Sequence, residues 1–180
     1  MKSWKSILVI SVIMTISSLV WAGEVVPPGD VPADDSQQAM VTAYMAAVNA
    51  KDRGKLEAVI HPKCLAAITD ENRDLINRIL SGEFNETIPA DHKLVIKLVR
   101  QDQLDSLKGY ASFPVPPTHT IQINWFPAKN TLRGRMLFVL KENGKWLDVI
   151  AIPTSETVQR FRAQQAGPAS GGQAKSPSHP

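Results

Sequence analysis

Residues 132–152 decide the fold, and they read LRGRMLFVLKENGKWLDVIAI. Two alternating stretches flank Asn143-Gly144, and Asn-Gly in that setting is the strongest short-range signal of a β-hairpin. Alternation places five residues on one face of the first strand: Leu132, Gly134, Met136, Phe138 and Leu140. The returning strand is predicted over 146–152 and ends at Pro153, so a hairpin closes the second half of the chain.

Two earlier stretches alternate in the same way. Residues 92–100 place Leu94, Ile96 and Leu98 on one face, and residues 120–126 do the same with Ile121, Ile123 and Trp125. The segment 101–118 has no such pattern. It contains Pro114, Pro116 and Pro117, and it predicts either a short strand near 108–113 or a loop.

The first half of the chain has helical periodicity instead. Met40, Tyr44, Ala47 and Val48 form one stripe, with Asp35 or Ser36 as the expected N-cap. A short helix with Leu56, Val59 and Ile60 inward should end at His61-Pro62, because the residue before proline avoids the helical region.

Two more helices are expected. One should have Thr69 as its N-cap and Gly82 as a left-handed stop, and the last should run over 155–163 with Val158 and Phe161 inward. Helices followed by hairpin-linked strands indicate an α+β fold, in which N-terminal helices pack against a curved antiparallel sheet.

The order and spacing of several segments resemble the nuclear transport factor 2-like superfamily, also called the cystatin-like or ketosteroid-isomerase-like cone fold. The segments are AAVNAKD at 46–52, KLEAVI at 55–60 followed by His61-Pro62, and LFVLKENGKW at 137–146 with Val149-Ile150 beyond it. The resemblance covers most of 36–153. It implies a strongly curved sheet wrapped around helices and enclosing an apolar pocket.

Members of that superfamily include isomerases, dehydratases, epoxide hydrolases, polyketide cyclases and secreted proteins with no known activity. Fold therefore does not give function. No catalytic motif of the enzymatic members aligns with this chain, so the resemblance carries over no catalytic residue. The chain also departs from the pattern by an inserted helix at 69–80 and by its C-terminal helix, and both could cover the pocket mouth.

The N-terminal residues predict export. Lys2 and Lys5 precede an uncharged apolar stretch at 7–20, and Ala22 offers a small residue before a cleavage point. We expect a signal peptide at 1–22, an extended lead-in at 23–35, a single domain at 36–163 and a disordered tail at 164–180, with a periplasmic or secreted product. The alternative is an uncleaved membrane anchor bracketed by Trp4 and Trp21.

Composition limits the possible partners. The chain has 20 Lys and Arg against 17 Asp and Glu, and loss of Lys2 and Lys5 leaves 18 against 17, a formal charge of +1. The basic residues form no cluster with aromatic side chains, which argues against nucleic acid. No cofactor motif is present, and the single Cys64 cannot form an intrachain disulfide.

Three residues are candidates for catalysis: Asp148, Tyr44 and His119. A carboxyl buried in an apolar pocket has a raised pKa and can act as a general base, and a tyrosine hydroxyl can stabilise an oxyanion. Asp148 alternates with Trp146, but the other face of that strand is apolar too, so which face is inward stays open. The candidate pocket residues are Tyr44, Trp125, Met136, Phe138, Trp146 and Asp148.

His61 and Cys64 are three residues apart and are candidates for half of a metal site, although a buried thiol beside a turn histidine is the simpler interpretation. Without an aligned catalytic set, the sequence favours an exported non-enzymatic module that binds a small apolar ligand or a protein partner. The alternatives are a small lyase, isomerase or hydrolase using the pocket carboxylate, and a homodimerisation module.

Overall fold

The computed structural model describes residues 33–129 and 131–166. The predicted signal peptide, most of the lead-in and most of the C-terminal tail lie outside these residues. The helices are α1 (Asp35–Asn49), α2 (Arg53–Glu57), α3 (Pro62–Ala66), α4 (Arg73–Gly82), α5 (Gln101–Asp105) and α6 (Ser155–Gln165), with a 3₁₀ turn at Glu83–Asn85. The strands are β1 (Lys93–Leu98), β2 (Ala111–Ser112), β3 (His119–Ala128), β4 (Thr131–Glu142), β5 (Lys145–Asp148) and β6 (Ile152–Pro153).

The main sheet is antiparallel, with strand order β1-β3-β4-β5, while β2 and β6 form a separate two-stranded sheet. Helices pack with the curved main sheet, so the predicted α+β class is confirmed. The hairpin between β4 and β5 is also confirmed. Asn143 and Gly144 have φ angles of 51° and 78°, the left-handed pair that a tight two-residue turn requires.

Strand register defines the face of the sheet that we call the inner face. Residues paired across antiparallel strands project from the same side. The pairs are Ile123 with Arg135, Ile121 with Leu137, His119 with Val139, and Val139 with Asp148. Helix α1 covers this side: Trp146 of β5 donates a hydrogen bond from Nε1 to the Ser36 hydroxyl over 3.1 Å. The core lies between α1 and the inner face.

The last strand of the main sheet is shorter than predicted. It ends at Asp148, whose amide donates to the Val59 carbonyl and whose carbonyl accepts from the His61 amide, each over 2.8 Å. Residues 59–61 thus run alongside β5 in parallel and cover its edge. The chain then leaves the sheet, and Ile152 pairs with Ser112 in the second sheet.

Several helix boundaries also differ from the prediction. Helix α2 ends at Glu57 and not at His61-Pro62, so Val59 and Ile60 follow the helix instead of lying on its inner face. The N-cap of α1 is Asp34, whose Oδ1 accepts from the Gln37 amide over 2.7 Å, rather than Asp35 or Ser36. Helix α4 begins at Arg73 and not after Thr69, because Asn72 closes a turn there by accepting from the Thr69 amide over 2.9 Å.

Gly82 does not stop α4 in a left-handed conformation. Its φ angle is −61°, and the chain continues into the 3₁₀ turn. Glycine permits a left-handed stop without requiring one. The continuation carries Glu83 over the inner face of the sheet.

The segment 101–118 contains the short helix α5 and the two-residue strand β2. Helix α6 runs slightly further than predicted, and Val158 and Phe161 face inward as expected, where they pack with Leu75 of α4. Within residues 33–129 and 131–166, no helix has the length and apolar character needed to cross a membrane.

Candidate functional site

A buried ion pair lies on the inner face of the sheet. Arg135 of β4 is 4% exposed, and its Nη1 contacts Oε2 of Glu83 from the 3₁₀ turn. Its Nη2 donates to the Glu83 carbonyl oxygen over 2.6 Å. One guanidinium therefore holds both the side chain and the backbone of Glu83, which fixes the turn after α4 against the sheet.

Tyr44 completes this group. Its hydroxyl donates to Glu83 Oε2 and accepts from Arg135 Nη1 over 3.2 Å. Burial raises the pKa of Tyr44 above its ordinary value, with Arg135 opposing the rise and Asp148 adding to it. Tyr44 stays protonated at neutral pH, and both hydrogen-bonding functions of its hydroxyl are occupied. We call Tyr44, Glu83 and Arg135 the arginine network.

Asp148 is the second buried polar site on the inner face. It is 6% exposed, and its register with Val139 puts it on the same side as Trp146. Burial raises its pKa to about 7, with a partial offset from the neighbouring Val149 amide. Among the described residues, no other side chain hydrogen-bonds to its carboxyl group. The sequence left open which face of β5 carries Asp148, and the register places it on the inner face.

His119 shares the inner face with Asp148 but is separated from it by the intervening strand β4, since both residues pair with Val139. Its Nδ1 lies 3.0 Å from the Thr118 hydroxyl. Its ring meets the Trp146 ring edge-on at a centroid distance of 5.0 Å. His119 therefore lies at the end of the inner face that is away from the arginine network.

The six predicted pocket residues lie on two faces of the sheet. Trp125, Trp146 and Asp148 are on the inner face with Tyr44 above them, and both tryptophans are buried. Met136 and Phe138 project from the opposite, outer face, because Leu137 and Arg135 occupy the inner positions of β4. The prediction that Met136 and Phe138 line one pocket together with Trp125 was therefore wrong.

The outer-face pair contacts other residues. Phe138 packs on Phe113 at a ring-centroid distance of 5.0 Å, and Met136 accepts a contact from Gln103 Nε2 at 3.7 Å. Helix α5 and the loop that follows it therefore cover the part of the outer face that Met136 and Phe138 form.

His61 and Cys64 are both buried but are not arranged as metal ligands. The His61 Nδ1 accepts from the Lys63 amide over 3.1 Å and caps α3, so its lone pair is occupied. Nε2 then carries the proton and lies 3.3 Å from the Glu142 carboxylate, without the alignment of a hydrogen bond. Within the described ranges, no cluster of three or more metal-ligating side chains occurs.

Cys64 is fully buried. Burial raises its pKa to about 11; an Ile150 backbone hydrogen bond opposes the rise and the charge of Asp148 adds to it. A thiol with that pKa is almost entirely protonated at neutral pH and is a poor nucleophile.

Sequence reasoning missed Glu83 and gave Arg135 no role. The signal for Arg135 was its alternation with Leu137 and Val139, which places a charged side chain next to the apolar centre of that face. Glu83 gave no local signal, because it reaches the sheet only through the continuation of α4 past Gly82.

Comparisons with known proteins identify no family for the chain. No family model matches it, and no curated protein or solved structure matches it significantly. Its function must therefore be inferred from the fold and the geometry of the site.

Proposed function

We propose that this chain is an exported, non-catalytic binding module of the nuclear transport factor 2-like type. The observation that carries the proposal is that the three candidate catalytic residues do not act on a common point. The Tyr44 hydroxyl is held by Glu83 and Arg135, and His119 is held by Thr118 and Trp146. Neither donates to Asp148, so these three residues do not assemble an acid, a base and an oxyanion donor at one point.

A protein surface is favoured as the binding partner over a small apolar ligand. The inner-face residues Ile121, Ile123 and Val139 are each 0% exposed, and Tyr44 above them is 1% exposed. A ligand entering there would have to displace packed side chains. Leu98 and Phe126, by contrast, are 70% and 60% exposed. A large apolar side chain at the surface can serve as an anchor when a protein partner covers it.

The small-enzyme alternative keeps one supporting observation, which is the buried Asp148 with its pKa near neutrality. Such a group has the properties of a general base. It lacks an aligned partner among the described residues, and for that reason we place the enzyme hypothesis second.

The experiment has two arms. The first measures the melting temperature of the purified protein against a panel of apolar small molecules and of candidate protein partners; we expect a rise with a protein and none with the small molecules. The second measures turnover of ester, epoxide and ketosteroid-type substrates by the protein and by Asp148→Asn. Turnover that disappears in Asp148→Asn would establish the enzyme instead, and a melting temperature unchanged by every addition would count against a binding module.

A further inference from the structure

We propose that strand β1 is a self-association edge, through which two copies of this chain pair antiparallel and join their main sheets into one. The inference rests on the proposed function and names the partner: a second copy of the same chain. Four observations carry it, concerning the free edge, the exposed side chain, the symmetry of the sequence and the path of the chain around the strand.

The first observation is that β1 lies at the end of the sheet. It pairs only with β3 among the described residues. The Val99 amide donates to the Thr118 carbonyl over 3.0 Å, so the odd-numbered residues direct their backbone groups toward β3. Because backbone groups alternate sides along a strand, those of Leu94, Ile96 and Leu98 point to the open edge. An open edge of this kind is a template for another strand.

The second observation concerns Leu98. It is the most exposed large apolar side chain of the described residues, at 70%, although Ile96 on the same face is 6% exposed. Leu98 pairs with His119 at the end of the inner face, so it extends the apolar face past the point where the monomer covers it. A second strand along β1 would give it an apolar neighbour.

The third observation is that β1 is self-complementary. An antiparallel pair centred on Ile96 would place Leu98 of one copy beside Leu94 of the other, and Lys97 beside Val95. Lys93 would lie beside Val99. A two-fold interface requires the same surface on both copies, and this sequence meets that requirement, with leucine beside leucine on the inner face and lysine beside valine on the outer face. The pairing would form about six backbone hydrogen bonds.

The lysines favour the register centred on Ile96 over the two registers that are centred one residue away. Lysine on an edge strand commonly prevents pairing. Moving the centre to Lys97 sets Lys97 against its own copy, and moving it to Val95 sets Lys93 against Lys97. Like charges directly opposite each other destabilise a strand pair. Centred on Ile96, each lysine can lay its aliphatic stem on a valine and keep its ammonium in water.

The fourth observation is that the segment directly after β1 leaves its open edge uncovered within residues 33–129 and 131–166. Helix α5 follows β1 after two residues, and Gln103 reaches Met136 on β4. The helix therefore crosses the outer face toward the centre of the sheet and away from the open edge of β1.

The first test is sedimentation velocity of the purified protein over a range of concentrations. We expect a monomer–dimer equilibrium that Leu98→Asp weakens by about tenfold or more, the effect of replacing a buried leucine by a charge. Ala43→Asp is the control, since Ala43 is exposed on α1 and belongs neither to β1 nor to the exposed apolar residues proposed to bind a partner. It should leave the dimer unchanged. Both residues are exposed, so neither variant should unfold.

The second test fixes the register by cross-linking. Val95→Cys and Lys97→Cys variants are oxidised separately and as a mixture, with buried Cys64 left in place. A disulfide dimer that forms in the mixture far more than in either single variant supports pairing about Ile96. A dimer formed best by Lys97→Cys alone, or by Val95→Cys alone, contradicts that register.

A protein that is monomeric at every concentration overturns the proposal. Loss of the dimer in Ala43→Asp but not in Leu98→Asp also overturns it. In either outcome, a melting temperature that still rises with another protein leaves the proposed binding function standing.

Discussion

The inner face of the sheet carries two buried charged groups that are satisfied in opposite ways. Arg135 is paired with Glu83 and shares Tyr44 with it, so every charge of the arginine network has a partner. Asp148 is equally buried and receives no side-chain hydrogen bond from the described residues. A paired buried charge holds elements together, while an unpaired one takes up a proton to avoid the cost of burial.

Removing the Arg135 guanidinium should cause the largest change in the free energy of unfolding. Arg135→Met leaves the Glu83 carboxylate, 17% exposed, without its cation and with only the Tyr44 hydroxyl as a side-chain partner among the described residues. We expect the free energy of unfolding to fall by about 3–5 kcal/mol, as measured by urea denaturation. Arg133→Met is the control, because Arg133 pairs with Glu86 at 3.7 Å near the surface and should lose at most about 1 kcal/mol. Equal losses in the two variants would contradict the network.

Neutralising Asp148 should instead stabilise the protein. Its folded pKa of about 7 lies above the ordinary value of 3.8. Between those pH values the folded state binds the proton more tightly than the unfolded state, so the stability contribution of Asp148 is present below about pH 4 and is lost as the pH rises through 7. Asp148→Asn should gain up to about 4 kcal/mol at pH 8 and nothing at pH 4.

The measurement is the free energy of unfolding of the protein and of Asp148→Asn across that pH range. Asp105→Asn is the control: hydrogen bonds from Lys108 and Gln101 lower the pKa of Asp105, so this variant should not be stabilised at pH 8. A difference between the protein and Asp148→Asn that does not change from pH 4 to pH 8 would contradict the unpaired carboxyl.

Removing the Tyr44 hydroxyl should have a smaller effect than removing Arg135, because the ion pair remains. Tyr44→Phe deletes one hydrogen bond to a carboxylate and one from a guanidinium, and should lower the free energy of unfolding by about 1–3 kcal/mol. Tyr110→Phe is the control, since its hydroxyl has no hydrogen bond within the described residues, and it should change stability by less than about 0.5 kcal/mol. A larger loss in Tyr110→Phe would be evidence against the assignment.

The smallest expected effect is in the labelling of the Cys64 thiol, which lies near Asp148. Full burial and a pKa of about 11 should make native labelling by a thiol reagent at pH 8 slow, and limited by opening of the fold. An exposed cysteine in Lys55→Cys provides the reference rate, since the Lys55 side chain is 65% exposed. Labelling of Cys64 at that reference rate would mean that the interior near Asp148 is open to solvent.

The sequence predicted the elements whose determinants are local. Asn143-Gly144 requires a particular turn, and the α6 residues Val158 and Phe161 follow one helical stripe, so both were predicted correctly. The resemblance to the nuclear transport factor 2-like fold remains a prediction about family.

The features that failed depend on contacts between distant residues. Strand β5 ends at Asp148 because the chain then leaves the main sheet and Ile152 pairs with Ser112 of β2. The face of β4 was misassigned because Met136 and Phe138 are as apolar as the inner residues, and only pairing with β3 and β5 distinguishes the two faces. The role of Glu83 could not be predicted, because its position over the sheet depends on how the chain continues after α4.

The most direct test of the central claim is a pair of double-mutant cycles at pH 8. The claim is that Tyr44 acts with Glu83 and Arg135 as a structural unit and not with Asp148 as a catalytic one. We predict a coupling free energy of about 1 kcal/mol or more between Tyr44→Phe and Glu83→Gln, and less than about 0.5 kcal/mol between Tyr44→Phe and Asp148→Asn. A coupling to Asp148 that equals or exceeds the coupling to Glu83 would contradict the account.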